Sequence, residues 1–241
     1  MNDKHHKLQE DYFDSEAIGL KTDSVFPMKT LSAKMEFKSF KKFVGVEPGN
    51  KIVEIGCGIG RYTLPFLQAG IDVVGVDISG ESLSVLEQAY QKFRRPNWGK
   101  LETSKEIPKQ ANADGVVCVN LLHHVENIPN KLKKMRNCVK TNGVVVAFEP
   151  NPMYFPWYLY FLAKGILVVE KGILKCSTTA MSKYFQQAHL QDITIRRYGI
   201  LPTRLFNNNA RSLYFSTHKL ANAYFFKYFS FHYMIKGSRK A

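Results

Sequence analysis

The chain has 241 residues, 45% of them hydrophobic, which suits a globular protein with one α/β domain and an insertion, or with two small domains. Four cysteines without CxxC pairing or zinc spacing exclude a disulfide framework, and the polar start MNDKHHKLQEDYF excludes a secretory signal, so we expect a reduced, cytoplasmic protein. The formal net charge of +14 favours an anionic partner, namely a nucleic acid, an anionic membrane surface or an acidic small molecule.

The predicted elements alternate between helices and short apolar strands. We expect residues 1–27 to be a flexible N-terminal segment, in which Tyr12 and Phe13 could fold over a ligand as a lid. After it, the predicted order is a helix over 28–44, strand KIVEIG, a helix over 61–69, strand IDVVGVD, a helix over 81–93, strands GKLET and DGVVCVN, a helix over 131–139 and strand NGVVVAFEP. Continuously apolar strands that alternate with helices are typical of a parallel sheet covered on both faces.

Two more strands, DITIRRYGIL and FHYMIKGSRK, are predicted near the end of the chain. Ahead of them, residues 153–169 are apolar and aromatic, but Pro156, Lys164 and Gly165 interrupt the run. We therefore interpret this segment as an amphipathic or buried helix rather than a membrane span.

The stretch VEIGCGIGRYT, residues 53–63, predicts a strand, a glycine-rich turn and a helix. A dinucleotide site with the pattern GxGxxG would need its third glycine at Arg61, whereas the glycines here are Gly56, Gly58 and Gly60. Glu54, near the end of the strand, would repel a pyrophosphate and favour a ligand with a positive charge, such as an ammonium or a sulfonium group. These features argue against an NAD-linked oxidoreductase.

Asp77 ends the second predicted strand, where a carboxylate can accept hydrogen bonds from both hydroxyls of a ribose. Together with Glu54 and the glycines, it describes a site for a nucleoside joined to a cationic amino acid. S-adenosylmethionine (SAM) has that form. Two alternatives stay open: a strand–turn–helix whose glycines serve packing alone, and a non-catalytic protein that keeps the fold without the cofactor.

The motifs VEIGCGIGRYT, VVGVDIS, DGVVCVNLLHHVEN and GVVVAFEP follow each other in the order and spacing of the class I SAM-dependent methyltransferases. The chain most resembles their type 11 group, which includes quinone and small-molecule methyltransferases. The resemblance implies a Rossmann-like, mostly parallel seven-stranded sheet with an antiparallel last strand and a helical insert before it.

The resemblance also implies roles for particular residues. By position it places Glu54, Gly56, Gly58 and Gly60 beside the methionine part of SAM, Asp77 on the ribose, Ile78 against the adenine and Asn120 near the end of strand four. The family usually has an acid after strand three that binds the adenine amino group. Here Thr103 or Ser104 stands at that place, so the adenine contacts depart from the family's pattern.

Ligands of open α/β sheets lie beyond the carboxyl ends of the strands, which points to NLLHHVEN after strand four and EPNP after strand five. His123 and His124 are the candidate general bases, because imidazole titrates near neutral pH, although each could instead pack against or cap the next helix. Glu149 could face the acceptor or be satisfied by backbone amides. Quinone O-methyltransferases, which this segment resembles, tend to have acids that can hold a metal at Asn120 and His123. Because Asn120 is a poor metal ligand, we predict no metal.

The region before the last strand is the predicted acceptor side of one domain over 28–241, with a core over 45–150, helices and an insert over 151–229, and a final strand over 230–239. The insert is rich in aromatic and cationic residues: Phe206, Tyr214, Phe215, Tyr224, Phe225, Phe226, Tyr228, Phe229, Arg204, Arg211, Lys219 and Lys227.

This composition favours a small or lipid-like acceptor with an acidic group, such as a quinone precursor, a lipid-linked saccharide or an aromatic acid. It also suits peripheral contact with an anionic membrane. A helical cap that packs its aromatics on the sheet is one alternative. An RNA methyltransferase that grips a single strand is another, although no RNA-binding appendage is visible.

Overall fold

The computed structural model describes residues 26–199 and 229–240. The strands are β1 Lys51–Ile55, β2 Asp72–Val76, β3 Leu101–Ser104, β4 Ala113–Val119, β5 Val139–Pro150, β6 Gln191–Tyr198 and β7 His232–Ser238. The helices are α1 Leu31–Val44, α2 Thr63–Gln68, α3 Gly80–Phe93, α4 Ile128–Cys138, α5 Pro156–Lys164, α6 Leu167–Glu170 and α7 Thr178–Gln187. Two 3₁₀ turns cover Leu122–His124 and Lys171–Lys175.

The seven strands form one mixed sheet in the order β3-β2-β1-β4-β5-β7-β6. β1 pairs in parallel with β2 and β4, and the parallel pairing continues to β3 and β5. β7 lies between β5 and β6 and is antiparallel to both, so that Met234 pairs with Phe148 on one side and with Arg196 on the other. The predicted Rossmann-like sheet with an antiparallel last strand is therefore confirmed.

Successive strand residues face opposite sides of the sheet and contribute to two separate cores. On one side, Val117 and Phe148 pack with residues of α1, α2 and α3. On the other side, their neighbours Cys118 and Ala147 pack with residues of α4 and α7. Because both faces are covered, the central strands β1, β2, β4 and β5 carry the apolar runs that the sequence indicated, whereas β3 at the sheet edge is largely polar.

The helix boundaries follow local capping. Ser79 accepts a hydrogen bond from the backbone N–H of Ser82 at 2.9 Å and starts α3, as predicted. Asn127 caps α4 by accepting from the N–H of Asn130 at 3.0 Å, so this helix begins earlier than the predicted 131. The predicted helix over 153–169 is divided, because α5 ends at Gly165 in the left-handed conformation (φ 69°).

The carboxyl ends of β1, β2, β3 and β4 meet at one edge of the sheet, and the segments that leave them build the candidate site. Residues 105–112, which join β3 to β4, contain no helix. This connection and α4 both contribute residues to the lining of the site. No helix of the described ranges is long and apolar enough to cross a membrane. Tyr12 and Phe13, and the predicted insert residues from 204 to 228, lie outside the described ranges.

Candidate functional site

A cavity of about 500 Å³ opens at the carboxyl edge of the sheet, a size typical of small-molecule sites. It is bordered by the glycine-rich turn after β1, the ends of β2 and β4, the connection after β3, and the first turns of α4. Its lining residues are Ile55, Gly56, Gly58, Val76, Asp77, Ile78, Ser82, Lys105, Ile107, Val119, Asn120, Leu121, His124, Val125, Glu126, Asn127, Asn130, Lys131 and Lys134.

The glycine-rich turn brings backbone to the cavity. Gly56, Gly58 and Gly60 all have positive φ (74°, 49° and 92°), which non-glycine residues adopt only with strain. A Cβ at Gly60 would lie 2.4 Å from Leu86, so this glycine permits packing against α3. A Cβ at Gly58 would meet nothing within 4 Å. Gly58 and Gly56 line the cavity, where their bare backbone leaves room for a ligand to approach closely.

Asp77 is held at the floor of the cavity by two backbone amides. Its Oδ2 accepts from the N–H of Gly58 at 2.7 Å, and its Oδ1 accepts from the N–H of Ser79 at 3.0 Å. An ionised carboxylate can accept about four hydrogen bonds, so one side chain can fix the turn and also bind ribose hydroxyls. Ile78, the next residue, lies in the lining beside it. The glycine turn, Asp77 and the cavity volume together fit a nucleoside ligand.

Glu54 lies within β1, and its predicted contact with the methionine part of SAM stays a prediction. Its side chain is buried, accepts a hydrogen bond from the Thr63 hydroxyl at 2.6 Å, and is absent from the cavity lining. Burial raises the pKa of this carboxyl to about 8, with a further contribution from the charge of Asp77 and an opposing one from the Thr63 bond. The geometry shows Glu54 joining β1 to the start of α2 beneath the glycine turn.

Of the residues predicted to lie near the adenine and at the end of strand four, Ile78 and Asn120 line the cavity and Ser104 does not. Ser104 bonds with its hydroxyl to the backbone of Glu106 and stays outside the lining, whereas its neighbour Lys105 belongs to the lining. Asn120 lies in the lining with a positive φ of 50°. These assignments to SAM stay predictions, but the sequence reasoning overlooked the lysines that the cavity gathers.

His123 lies between two carboxylates next to the cavity. Its Nδ1 is 2.7 Å from Glu149 and its Nε2 is 3.1 Å from Glu170, with only 3% of the imidazole side chain exposed. Burial disfavours the charged ring, but the charges and hydrogen bonds of Glu149 and Glu170 outweigh it and raise the pKa of His123 to about 9. An imidazolium at neutral pH has no lone pair with which to accept a proton.

Glu149 organises the whole turn after β4. Besides the His123 ring, it accepts hydrogen bonds from the backbone N–H groups of Leu121 and Leu122 at 3.0 and 2.9 Å. The sequence left open whether Glu149 faces the acceptor or accepts hydrogen bonds from backbone amides, and in the structure it accepts from backbone amides. Glu170 reaches the same ring from α6, and no motif in the sequence pointed to it, because LVVEKG carries only a generic helical pattern.

His124 is the histidine that lines the cavity. Its ring lies against the ring of His123, with 4.0 Å between the centroids. One ligand atom each of His123, His124 and Glu170 lie within 4.8 Å of one another, a spacing compatible with a metal ion. Both ring nitrogens of His123 already bond to carboxylates, so metal binding there would require one of those bonds to break.

Comparison with known proteins agrees with this geometry. A family model described as a methyltransferase domain matches residues 53–145, which run from β1 through β5. A demethylmenaquinone methyltransferase of Tropheryma whipplei is 27% identical over 124 residues, covering 50% of this chain and 52% of the relative. A ubiquinone biosynthesis O-methyltransferase of Rhodopseudomonas palustris is 26% identical over 116 residues, covering 48% and 46%. Residues 53–145 therefore resemble a methyltransferase domain, and the relatives named here are methyltransferases.

Solved structures of methyltransferases share the fold of this chain. Phosphoethanolamine N-methyltransferase 2 of Haemonchus contortus, in complex with SAM, has a TM-score of 0.62 at 16% identity, covering 86% of this chain and 53% of that one. Geranyl diphosphate C-methyltransferase of Streptomyces coelicolor has a TM-score of 0.58 at 15% identity, covering 86% and 79%. The chain spans about half the length of the curated relatives it matches.

Proposed function

We propose that this chain transfers a methyl group from SAM to an oxygen, nitrogen or carbon atom of a small or lipid-like acceptor. The observation that supports this most strongly is the meeting of the glycine turn and Asp77 in one cavity at the carboxyl edge of the sheet. SAM supplies a methyl group that is already activated, so the protein has mainly to align the acceptor with it. Gly56, Gly58 and Asp77 would hold the cofactor.

His124 is the residue of this site best placed to take a proton from the acceptor. It lines the cavity, whereas His123 is buried as an imidazolium between Glu149 and Glu170. We therefore assign His123 and Glu149 a positioning role, in which they fix the turn that carries His124. A neutral imidazole can accept a proton near neutral pH.

An exposed apolar surface on α5, the first helix after β5, supports a lipid-like acceptor presented by an anionic membrane. Phe155, Leu159 and Leu162 are 66%, 56% and 67% exposed, and their spacing places them on one side of α5. Between residues 151 and 190 the cations are Lys164, Lys171, Lys175 and Lys183, and the one acid is Glu170, which bonds to His123. Exposed apolar side chains flanked by lysines are what anionic lipid surfaces bind.

Calorimetric titration with SAM, its demethylated product S-adenosylhomocysteine, and NAD tests the cofactor assignment. We expect binding of the first two and none of NAD. A folded protein that binds neither SAM nor its product would overturn the proposed enzyme and leave a non-catalytic protein with this fold.

Co-sedimentation with vesicles tests the acceptor class. Wild type should bind vesicles rich in phosphatidylglycerol and should not bind vesicles of pure phosphatidylcholine. The double variant Leu159→Glu/Leu162→Glu should not bind either type. Gln88→Glu/Gln91→Glu, which adds the same charge on the exposed side of α3, is the matched control and should bind like wild type. Equal binding by both double variants would contradict the lipid surface. Salt-sensitive methylation of RNA would instead favour the nucleic-acid alternative.

A further inference from the structure

Lys131 extends into the cavity from the first turns of α4. Its ammonium has no ion-pair or hydrogen-bond partner among the described residues, although it is partly buried and lines the cavity. Burial lowers the pKa of this lysine, and the charge of Lys134 lowers it further, while Cys118 and Asp77 act in the opposite direction. A partly buried ammonium without a carboxylate is costly unless a ligand completes it.

The lining of the cavity is rich in lysines. It includes Lys105 after β3 and Lys131 and Lys134 on α4, while Ser104 is turned away toward the backbone of Glu106. The acids in the lining are Asp77 and Glu126, and Glu126 is exposed. The usual partner of an adenine amino group, a carboxylate after β3, is therefore replaced by hydrogen-bond donors.

An ammonium and a carboxylate recognise different atoms of a purine. A carboxylate accepts from the exocyclic amino group, whereas an ammonium can only donate, and the acceptors of adenine are its ring nitrogens. Ile78 and Ile107 are among the apolar lining residues, which suit the flat faces of a base. A ring packed on such side chains could direct an acceptor nitrogen toward a lysine of α4.

We propose that Lys131 donates a hydrogen bond to a ring nitrogen of the adenine, so that this methyltransferase selects the base of its cofactor by donation from α4. This inference rests on the proposed binding of SAM. Lys131 is then a specificity-determining residue for the cofactor, and the site should depend little on a carboxylate near the amino group.

The test is calorimetric binding of S-adenosylhomocysteine and its 1-deaza, 3-deaza and 7-deaza analogues, each of which replaces one ring nitrogen by carbon. Lys131→Met should weaken binding of S-adenosylhomocysteine by roughly ten- to a hundredfold, the range of a hydrogen bond from a charged donor. Wild type should bind one of the three analogues more weakly than S-adenosylhomocysteine by the same factor. Lys131→Met should bind that analogue as tightly as S-adenosylhomocysteine, because the variant already lacks the hydrogen bond. Lys133→Met, on the exposed side of α4, is the matched control and should bind like wild type.

The outcomes separate this inference from the proposed function. The proposed contact with the base is wrong if the affinity of Lys131→Met for S-adenosylhomocysteine is within about threefold of the wild-type affinity. It is also wrong if the substitution weakens binding of every analogue by the same factor. In both cases the enzyme assignment stands, because wild type binds S-adenosylhomocysteine. If Glu126→Gln carries the loss instead, recognition by a carboxylate holds and the inference is overturned. If wild type binds none of the compounds, the proposed function itself fails. Thermal unfolding of each variant confirms that it is folded.

Discussion

The two carboxylates around His123 should make folding stability depend on pH in a defined window. In the folded chain, the pKa of His123 rises from 6.5 to about 9, because Glu149 and Glu170 outweigh the penalty of burial. The folded protein therefore binds this proton more tightly than the unfolded chain does. The stabilising contribution is complete below about pH 6.5 and is lost as the pH rises to about 9.

The size of the effect follows from the same two values. Each pH unit between the folded and unfolded pKa corresponds to about 1.4 kcal/mol, so a rise from 6.5 to about 9 corresponds to about 3 kcal/mol of unfolding free energy. The side chains of His123 and Glu149 are 3% and 0% exposed, so salt and solvent reduce this little. A neutral pair of the same shape should lack the dependence.

The perturbation is the double substitution His123→Gln/Glu149→Gln, which removes the titrating ring together with its buried counter-charge. Urea unfolding, followed by the fluorescence of Trp98 and Trp157, gives the free energy of unfolding at several pH values between about 6 and 9.5. Wild type should lose about 3 kcal/mol more than the double variant over this range. Contributions common to both proteins, such as that of Glu54, cancel in the comparison.

His189→Asn is the matched control, because this histidine is exposed and its left-handed backbone suits asparagine. Its stability should change with pH in parallel with wild type. If the double variant and wild type also change in parallel, folding does not raise the pKa of His123, and the reasoning that separates its role from that of His124 is refuted.

Three further predictions concern single side chains. Asp77→Ala should abolish SAM binding in calorimetry while circular dichroism shows a folded protein, and wild-type affinity in this variant would remove Asp77 from the site. His124→Asn should keep the affinity for SAM within a few fold of wild type. It should lower the rate of methyl transfer by about 10²-fold or more if the acceptor must lose a proton. An unchanged rate would show that His124 does not act as a base. Gly172→Ala should cost about 1–3 kcal/mol in urea unfolding, because its Cβ would lie 1.7 Å from the carbonyl oxygen of His123, and unchanged stability would contradict this close approach.

Much of the fold could be read from local patterns. Apolar runs of five to seven residues, the cap at Ser79 and the glycines of VEIGCGIGRYT depend on contacts within a few positions, so they are visible in the sequence. For the same reason Asp77 could be placed at the end of β2 and inside the site. The antiparallel last strand followed from the family resemblance and is confirmed by its pairing with β5 and β6.

The roles of the polar residues depended on packing between distant elements. Glu54 lies within β1, where its side chain bonds to Thr63. Asp77 comes directly after β2 and lines the cavity. His123 and His124 are adjacent in sequence, but only the docking of α6 brings Glu170 to the first of them.

The sequence by itself determined the sheet, the glycine turn and Asp77, because neighbouring residues along the chain dictate those features. Only the tertiary structure decided which histidine is buried as a cation, which one lines the cavity, and that Lys131 belongs to the lining. Charge and protonation depend on partners brought together across the fold, here from α4, α6 and β5, and no local pattern of residues specifies those partners.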